Sequence, residues 1–293
     1  MTRDYNGTMF EDSQFLVFCN RFATVFIVIP IHFLPLGILA NPLHPGRRAP
    51  FFEYSFASFS NILSSWCQYE ALKYISFPTQ VMSKACKVIP VMIMGWFIQK
   101  RSYTATEYAT ALLICIGLNM FMLGHPEDHA LTVNNTDQLD NFSGILLIIA
   151  YLALDSFTTN WQDRLFRKYS LSPVQVMAGV NLWSVLLTLI PLLQRGTLFS
   201  SLQFGLLHPT FFGDVILSAL CSAVGQLFIF MTIANFGPAT FVLIMTLRMG
   251  LSILLSCILF SHRVSTVGIS GILLVFFALF LRLYLRSRRA PKS

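Results

Sequence analysis

Short polar connections divide the chain into nine apolar segments, each close to the length of a membrane-spanning helix. A helix crosses a bilayer with about 20 apolar residues, and the segments lie at 15–38, 53–76, 78–98, 105–123, 142–163, 173–193, 214–236, 238–260 and 265–285. Only 11% of the 293 residues are charged, whereas a soluble domain carries about 25%. The predicted fold class is therefore all-α, a polytopic membrane helix bundle. The segments use most of the chain and leave no length for a soluble catalytic domain.

The loops on the two sides of the predicted bundle differ in charge. Counting alternate loops, one side holds twelve Lys and Arg residues, and the other holds only Arg3, Arg195 and Arg263. Basic loops stay in the cytosol. The glycosylation sequons lie on the side poor in basic residues, as lumenal acceptors should, at Asn6, Asn134 and Asn141. We therefore expect the C-terminus in the cytosol.

An internal repeat indicates how the segments are organised. The stretch from Gln68 to Lys87 recurs loosely from Gln226 to Arg248. In each copy a helix with a glutamine ends at an aromatic residue before a proline, and the next segment contains a cation. Because the copies cross the membrane in opposite directions, they predict an inverted repeat with a binding site near the midplane. We expect one transporter domain, 1–293, with a first repeat at 1–125 and a second at 142–293.

The two predicted repeats are unequal in length. The first contains four segments and the second contains five. A lumenal N-terminus without a signal sequence also needs a preceding span, because residues 1–14 are polar. Both arguments predict a fold of five plus five helices in which the first helix is missing and nine spans are present. The alternative is that the nine spans are complete.

Charged side chains inside the segments indicate an anion-binding site. An intramembrane cation costs about 2.5–3.5 kcal/mol. With Arg282 counted in the C-terminal tail, those within segments are Arg21, Lys73, Lys84, Lys87 and Arg248. Lys73 can pair with Glu70 three residues earlier, and Arg21 can extend to the interface. Lys84 and Lys87 have no acid on their own segment, and Arg248 lies at a corresponding depth in the other repeat. We expect these three to bind a polyanion. In the alternatives, Asp155 cancels one of them, or lipid head groups and backbone carbonyls satisfy them.

Polar and aromatic residues near these cations suit a nucleoside. A base stacks on an aromatic ring while an amide reads its edge, and the candidates are Gln68, Tyr69, Asn160, Trp161, Asn181 and Gln226. The alternative for each is a contact between helices or at the membrane interface. The sequence contains no catalytic triad, no phosphate-binding glycine loop and no clustered Cys or His ligands. Neither an enzyme, a metal site nor a cofactor is predicted.

Three strings resemble a known family. They are SFASFSNILSSWCQYEALKYISFPTQVMSKACKVIPVMIMG (55–95), DSFTTNWQDRLF (155–166) and CSAVGQLFIFMTIANFGPATFVLIMTLRMGLSILLSC (221–257). They are similar to the nucleotide-sugar transporters of the drug/metabolite transporter superfamily, in the branch that transports 3′-phosphoadenylyl sulfate (PAPS) in the Golgi. The resemblance implies a ten-helix fold of two inverted repeats. It places the cavity-lining positions at Lys84, Lys87, Asn181 and Arg248.

The resemblance also implies a function, which is exchange of cytosolic PAPS for a lumenal adenine nucleotide in the Golgi membrane. PAPS carries about four negative charges, since the second pKa of its phosphate is near 6, and three cations suit such a ligand. The partners expected are this nucleotide, its counter-substrate and membrane lipid, without any nucleic acid polymer. A homodimer is left open. The alternatives are a nucleotide-sugar antiporter of the same fold and a non-transporting membrane scaffold.

Overall fold

The structure is a computed structural model. It describes residues 4–5, 8–9, 13–33, 49–71, 73–75, 80, 82–84, 86–123, 138–259 and 266–289. In these ranges the chain forms the helices α1 Ser13–Phe33, α2 Phe51–Ala71, α3 Val88–Gln99, α4 Ala105–Leu123, α5 Gln138–Tyr169, α6 Pro173–Gln194, α7 Thr197–Leu207, α8 Pro209–Phe236, α9 Pro238–Leu259 and α10 Thr266–Arg289. A short antiparallel hairpin pairs β1 Asp4–Tyr5 with β2 Thr8–Met9.

The helical membrane class is confirmed. In the part of the chain that the structure describes, three helices are both long and apolar enough to cross a membrane, over Phe142–Tyr169, Pro173–Gln194 and Thr210–Phe236. Shorter apolar stretches lie in most of the other helices, for example Val88–Gln99 and Ala105–Phe121. The number of spans stays a prediction. The sequons at Asn6 and Asn134 lie outside the described residues, and Asn141 lies in the first turn of α5.

Prolines and caps fix several helix boundaries close to where the sequence places them. Helix α6 begins at Pro173, where the missing N–H would have no partner within the helix. The Ser172 side chain accepts a hydrogen bond from the Gln175 N–H, and the Gln175 side chain accepts one from the Ser172 N–H. This reciprocal pair is a capping box. After α6, Gly196 adopts a φ of +67°, which glycine tolerates, and the chain turns into α7.

Two predicted boundaries are wrong. Residues 194–213, expected to form a loop, contain helix α7. The predicted continuous segment 78–98 is also broken, because its regular helix α3 begins only at Val88. Pro90 has no N–H, and its ring would clash with the Cys86 carbonyl four residues earlier. That carbonyl instead accepts a hydrogen bond from the Ile89 N–H at 3.3 Å, a tighter turn than an α-helix makes.

The helices form two compact units. Unit 1 contains Met1–Ile62 and Trp161–Gly237. In unit 1, α1 packs against α6 and α8, and α6 packs against α8. Its apolar core is formed by Phe15, Leu192 and Phe211.

Unit 2 contains Leu63–Asn160 and Pro238–Ser293. In unit 2, α10 runs along α4, and α9 packs against α3. The α4–α10 contact is close at two glycines, where a methyl group added to Gly271 would lie 2.5 Å from the Gly117 carbonyl oxygen. Each unit combines helices from both predicted repeats, and the repeat boundaries at 1–125 and 142–293 stay predictions.

Candidate functional site

The turn before α3 positions the two central lysines. Residues 82–84 are helical, and Cys86 and Lys87 form a turn. Lys87 is the residue immediately before α3. The Lys87 N–H donates to the Lys84 carbonyl at 3.2 Å, and the Cys86 N–H donates to the Ser83 carbonyl at 3.1 Å. These bonds span three residues, as in a 3₁₀-helix. Lys84 and Lys87 therefore lie on either side of a tight turn that precedes α3.

Lys87 has an acidic partner on another helix. Its Nζ forms an ion pair with the Asp155 carboxylate of α5, and the two side chains are 15% and 22% exposed. The sequence left open whether Asp155 cancels one of the three cations, and this is the arrangement found. The prediction that all three cations lack a resident acid is wrong for Lys87. Lys84 is half-buried and makes no ion pair with any residue that the structure describes.

Arg248 belongs to the same unit as the two lysines. It lies in α9, which packs against α3, and its side chain is exposed. Helices α3 and α9 come from the two copies of the predicted repeat. Unit 2 therefore contains Lys84, Lys87 and Arg248 together, which the predicted anion site requires.

An asparagine of α4 contacts the turn that contains Lys84 and Lys87. The Asn119 Nδ2 donates to the Cys115 carbonyl on its own helix at 2.7 Å and to the Cys86 Sγ at 3.2 Å. Cys86 lies between Lys84 and Lys87, so Asn119 fixes the position of the turn relative to α4. Sequence reasoning missed this residue, because an asparagine within an apolar helix does not reveal its partner.

Two of the predicted nucleoside-binding residues lie on α2 in unit 2. The Gln68 side chain is half-buried, and the Gln68 backbone carbonyl accepts a hydrogen bond from the Gln80 Nε2 at 2.7 Å. The Tyr69 side chain is 60% exposed and is accessible to a ligand or to lipid. Just beyond, Lys73 and Glu70 form the predicted ion pair at 2.7 Å. That pair is confirmed as a local one.

Asn160 is fully buried and serves as a contact between α5 and α3. Its Nδ2 donates to the Val91 carbonyl at 3.0 Å and to the Ser156 carbonyl at 2.9 Å. Its backbone carbonyl accepts a hydrogen bond from the Gln99 Nε2 at 2.8 Å. The Oδ1 of Asn160 has no hydrogen-bond partner among the described residues. The side chain therefore already ties two helices together, and a nucleoside could reach only its Oδ1.

The remaining two predicted site residues lie in unit 1. Asn181 of α6 is fully buried, accepts a hydrogen bond from the Arg21 Nη1 at 3.2 Å and donates to the Met177 carbonyl at 2.8 Å. Arg21 is thus held by an amide inside the unit. Gln226 of α8 is half-buried, and its Oε1 is a buried acceptor without a partner in the described part of the chain.

A charged cluster in unit 1 was not predicted. The Glu53 Oε1 accepts hydrogen bonds from the Lys168 Nζ at 3.0 Å and the Tyr169 hydroxyl at 2.9 Å. The Glu53 carbonyl accepts another from the Trp161 Nε1 at 2.9 Å. The guanidinium of Arg164 lies 4.6 Å from the centre of the Trp161 ring. This ring, proposed from sequence as a surface for a base, is already covered by a side chain. The cluster joins the start of α2 to the end of α5.

Known transporters are similar to this chain over nearly its whole length. It is 48% identical over 295 residues to a human protein named adenosine 3′-phospho 5′-phosphosulfate transporter 1, covering 98% of this chain and 65% of that protein. The Drosophila melanogaster protein of the same name is 44% identical over 293 residues, with 98% and 61% covered. A UDP-galactose/UDP-glucose transporter 5B of Arabidopsis thaliana is 35% identical over 288 residues, with 98% and 82% covered.

The chain spans somewhat less than two thirds of the length of the human and Drosophila relatives. A solved crystal structure of a protein covers 96% of this chain and 90% of its own, with a TM-score of 0.62 at 16% identity, which shows the fold alone. The three named relatives are transporters. The sequence model of the UAA transporter family matches residues 5–286, and the chain therefore belongs to that family.

Proposed function

We propose that this chain carries PAPS from the cytosol into the Golgi lumen in exchange for an adenine nucleotide. Two relatives named for this compound are 48% and 44% identical to the chain, and the relative named for UDP-sugars is 35% identical. In this proposal the protein is a multi-pass Golgi membrane protein with a cytosolic C-terminus, which agrees with the excess of basic loops on one side.

The observation that carries the proposal is the pair of lysines at one turn, Lys84 and Lys87, of which Lys87 is paired with Asp155, with Arg248 in the same unit. Lys84, Lys87 and the Asp155 carboxylate leave a net charge of one positive unit at the lysine turn. PAPS brings about four negative charges, given a phosphate whose second pKa is near 6, and a UDP-sugar brings about two fewer. PAPS therefore suits this excess of positive charge better than a UDP-sugar does.

In this proposal the polar residues of unit 2 shape the adenosine end of the site. Tyr69 is exposed enough to stack on a base, and Gln68 lies beside it on α2. Asn160 would contribute its Oδ1, which has no hydrogen-bond partner among the described residues, once this buried side chain is exposed. Asn181 and Gln226 remain predicted ligands on the basis of sequence. Asn181 would first have to release Arg21.

Transport by the purified protein tests the proposal. Uptake of radiolabelled PAPS into proteoliposomes preloaded with AMP or adenosine 3′,5′-bisphosphate is compared with uptake of UDP-galactose and a GDP-sugar. We expect saturable PAPS uptake that depends on the preloaded nucleotide. A Lys84→Met, Lys87→Met double variant should lose uptake, while Lys73→Met, which removes an exposed lysine paired locally with Glu70, should retain it. Full PAPS uptake by a well-folded double variant would refute the site.

A UDP-sugar exchanger is the second candidate function. The Arabidopsis relative named for UDP-galactose and UDP-glucose covers 98% of this chain. In the same liposomes, uptake of UDP-galactose with no uptake of PAPS would favour it. Absence of uptake for every nucleotide, from protein that melts cooperatively, would favour the scaffold alternative.

The joint role of the repeats has its own test. If Lys87 and Arg248 bind the same anion, replacing either one should remove most of what the other contributes to the binding free energy. Effects at residues that share a ligand deviate from additivity by about 0.5–3 kcal/mol. Protection of the protein by PAPS against thermal unfolding should therefore vanish in each single Met variant and change little further in the double variant. Additive losses of similar size would indicate two independent positions.

Orientation is tested by glycosylation. Asn134 is expected to accept a glycan, and a sequon engineered beside Arg167 is expected to stay bare in microsomes. Modification beside Arg167 would reverse the proposed topology and the direction of transport.

A further inference from the structure

The ion pair between Lys87 and Asp155 joins the lysine turn to α5 within unit 2. A cation inside a membrane segment costs about 2.5–3.5 kcal/mol on insertion scales, and an acid from another helix removes much of that cost. Asp155 therefore stabilises the empty protein. The same contact places a negative charge against a lysine proposed to bind a polyanion.

A ligand phosphate and the Asp155 carboxylate cannot both occupy the same side of the Lys87 ammonium without repelling each other. Charges of the same sign at about 4 Å repel by about 4 kcal/mol at the effective dielectric near a protein surface. The ligand must therefore displace the carboxylate or share Lys87 with it. Lys84 lies one turn away and makes no ion pair with the described residues, so it is a cation that can receive the displaced carboxylate.

The stretch of α5 around Asp155 is suited to such a movement. Three hydroxyl side chains within four residues bond to carbonyls four residues earlier: Ser156 to Leu152 at 2.5 Å, Thr158 to Leu154 at 2.9 Å and Thr159 to Asp155 at 2.9 Å. Side chains that bond back in this way weaken the backbone ladder slightly and often bend a helix. The carboxylate thus lies on a part of the helix that can flex.

We propose that Asp155 is an internal competitor for the anionic substrate: it occupies Lys87 in the empty carrier, is displaced when the substrate binds, and returns when the substrate leaves. This inference rests on the proposed function, because it assigns Lys87 to the substrate. It makes Asp155 a positioning and specificity-determining residue. A ligand with several negative charges overcomes the competition more readily than a ligand with two. The returning carboxylate also helps to release the product.

The experiment compares Asp155→Asn with the unaltered protein. Removing the competitor should tighten PAPS binding about tenfold, within the range of coupling measured for neighbouring charges, and should lower the maximal exchange rate. It should also lower the melting temperature of the ligand-free protein, because Lys87 loses its partner. Binding is measured as the thermal shift at a series of PAPS concentrations, and exchange is measured in proteoliposomes.

Another aspartate of α5 provides the matched control. Asp163 is fully buried and pairs with Arg167 on the same helix at 3.2 Å. Asp163→Asn should lower the melting temperature without tightening PAPS binding. Asp155→Glu, which keeps the charge, should bind PAPS with an affinity close to that of the unaltered protein. If Asp155→Asn does not fold, Asp155→Ser removes the same carboxylate and is measured in its place.

Inorganic pyrophosphate separates this inference from the proposed function. Tighter binding of pyrophosphate by Asp155→Asn, in a protein that binds no PAPS, would support the internal competitor and refute the proposed substrate. Equal or weaker binding of both anions by the folded variant, with PAPS bound normally by the unaltered protein, would overturn the competitor and leave the proposed function standing. An equal gain in Asp163→Asn would also overturn it, because the effect would then reflect only the lost charge.

Discussion

Replacing Gly271 with alanine should destabilise the protein by pushing α10 away from α4. The added methyl group would lie 2.5 Å from the Gly117 carbonyl oxygen and 2.6 Å from the Phe121 nitrogen. Both atoms belong to the α4 backbone, so no side chain can rotate to make room. Because contact between a methyl carbon and such atoms is comfortable only from about 3.4 Å, the helices must separate by about 1 Å.

The expected magnitude combines two opposing effects. Overpacking a well-filled contact costs about 1–3 kcal/mol, and the backbone clash favours the upper half of that range. Alanine also gains about 0.5–1 kcal/mol over glycine inside a helix. The net loss expected for Gly271→Ala is therefore about 1–2.5 kcal/mol. Close approach through glycines is how membrane helices pack tightly without a hydrophobic driving force.

The matched control is Gly225→Ala in α8. A methyl group added there would meet no atom of the described residues within 4 Å. The only remaining effect is the stabilisation that alanine gives over glycine inside a helix, about 0.5–1 kcal/mol. Thermal melting in detergent measures both variants, at about 2–4 °C per kcal/mol for chains of 150–250 residues. Gly271→Ala should melt lower than the unaltered protein, and Gly225→Ala should melt as high or higher. An equal increase in the melting temperature of both variants would refute the close contact between α4 and α10.

Three other predictions concern unit 1, and thermal melting measures each. Tyr169→Phe removes one of the hydrogen bonds accepted by the buried Glu53 carboxylate and should cost about 1.5 kcal/mol, as bonds to charged groups do; an unchanged melting temperature would contradict it. Ser172→Ala removes the cap of the Gln175 N–H and should cost about 1 kcal/mol, with Ser172→Thr as the variant that keeps the cap. Leu192→Ala, at a fully buried position, should cost about 2–5 kcal/mol, and a loss below that range would mean that the core refills the space.

Helix boundaries were predictable where a local signal is decisive. The predicted segment 173–193 and the observed helix α6, Pro173–Gln194, agree within a residue because proline and a capping serine act on the adjacent backbone. The Glu70–Lys73 pair was predictable for the same reason, since both residues lie on one turn. The break before α3 was missed, because Pro90 lies in a strongly apolar run where hydropathy gives no sign of an irregular turn.

The partners of the intramembrane polar residues were not predictable in the same way. Asp155 lies 68 positions after Lys87, and Asn181 lies 160 positions after Arg21. Charge and amide chemistry indicate that such residues need partners, and the folded chain decides which of the available partners each one meets. The sequence therefore identified the residues that need compensation and could not identify what compensates them.

The contacts made by these residues divide the candidates by what a ligand would have to replace. Asn181 is engaged at both ends of its amide by neutral and charged partners inside unit 1, and a ligand would have to break both bonds to use it. Lys87 is engaged by one carboxylate, and in the proposed competition an anion of higher charge displaces it. Lys84 makes no ion pair with the described residues and is half-buried. Charge competition at the lysine turn therefore demands the least rearrangement of the protein. If the chain carries PAPS as proposed, we expect substrate choice to depend on the phosphate and sulfate groups more than on the base.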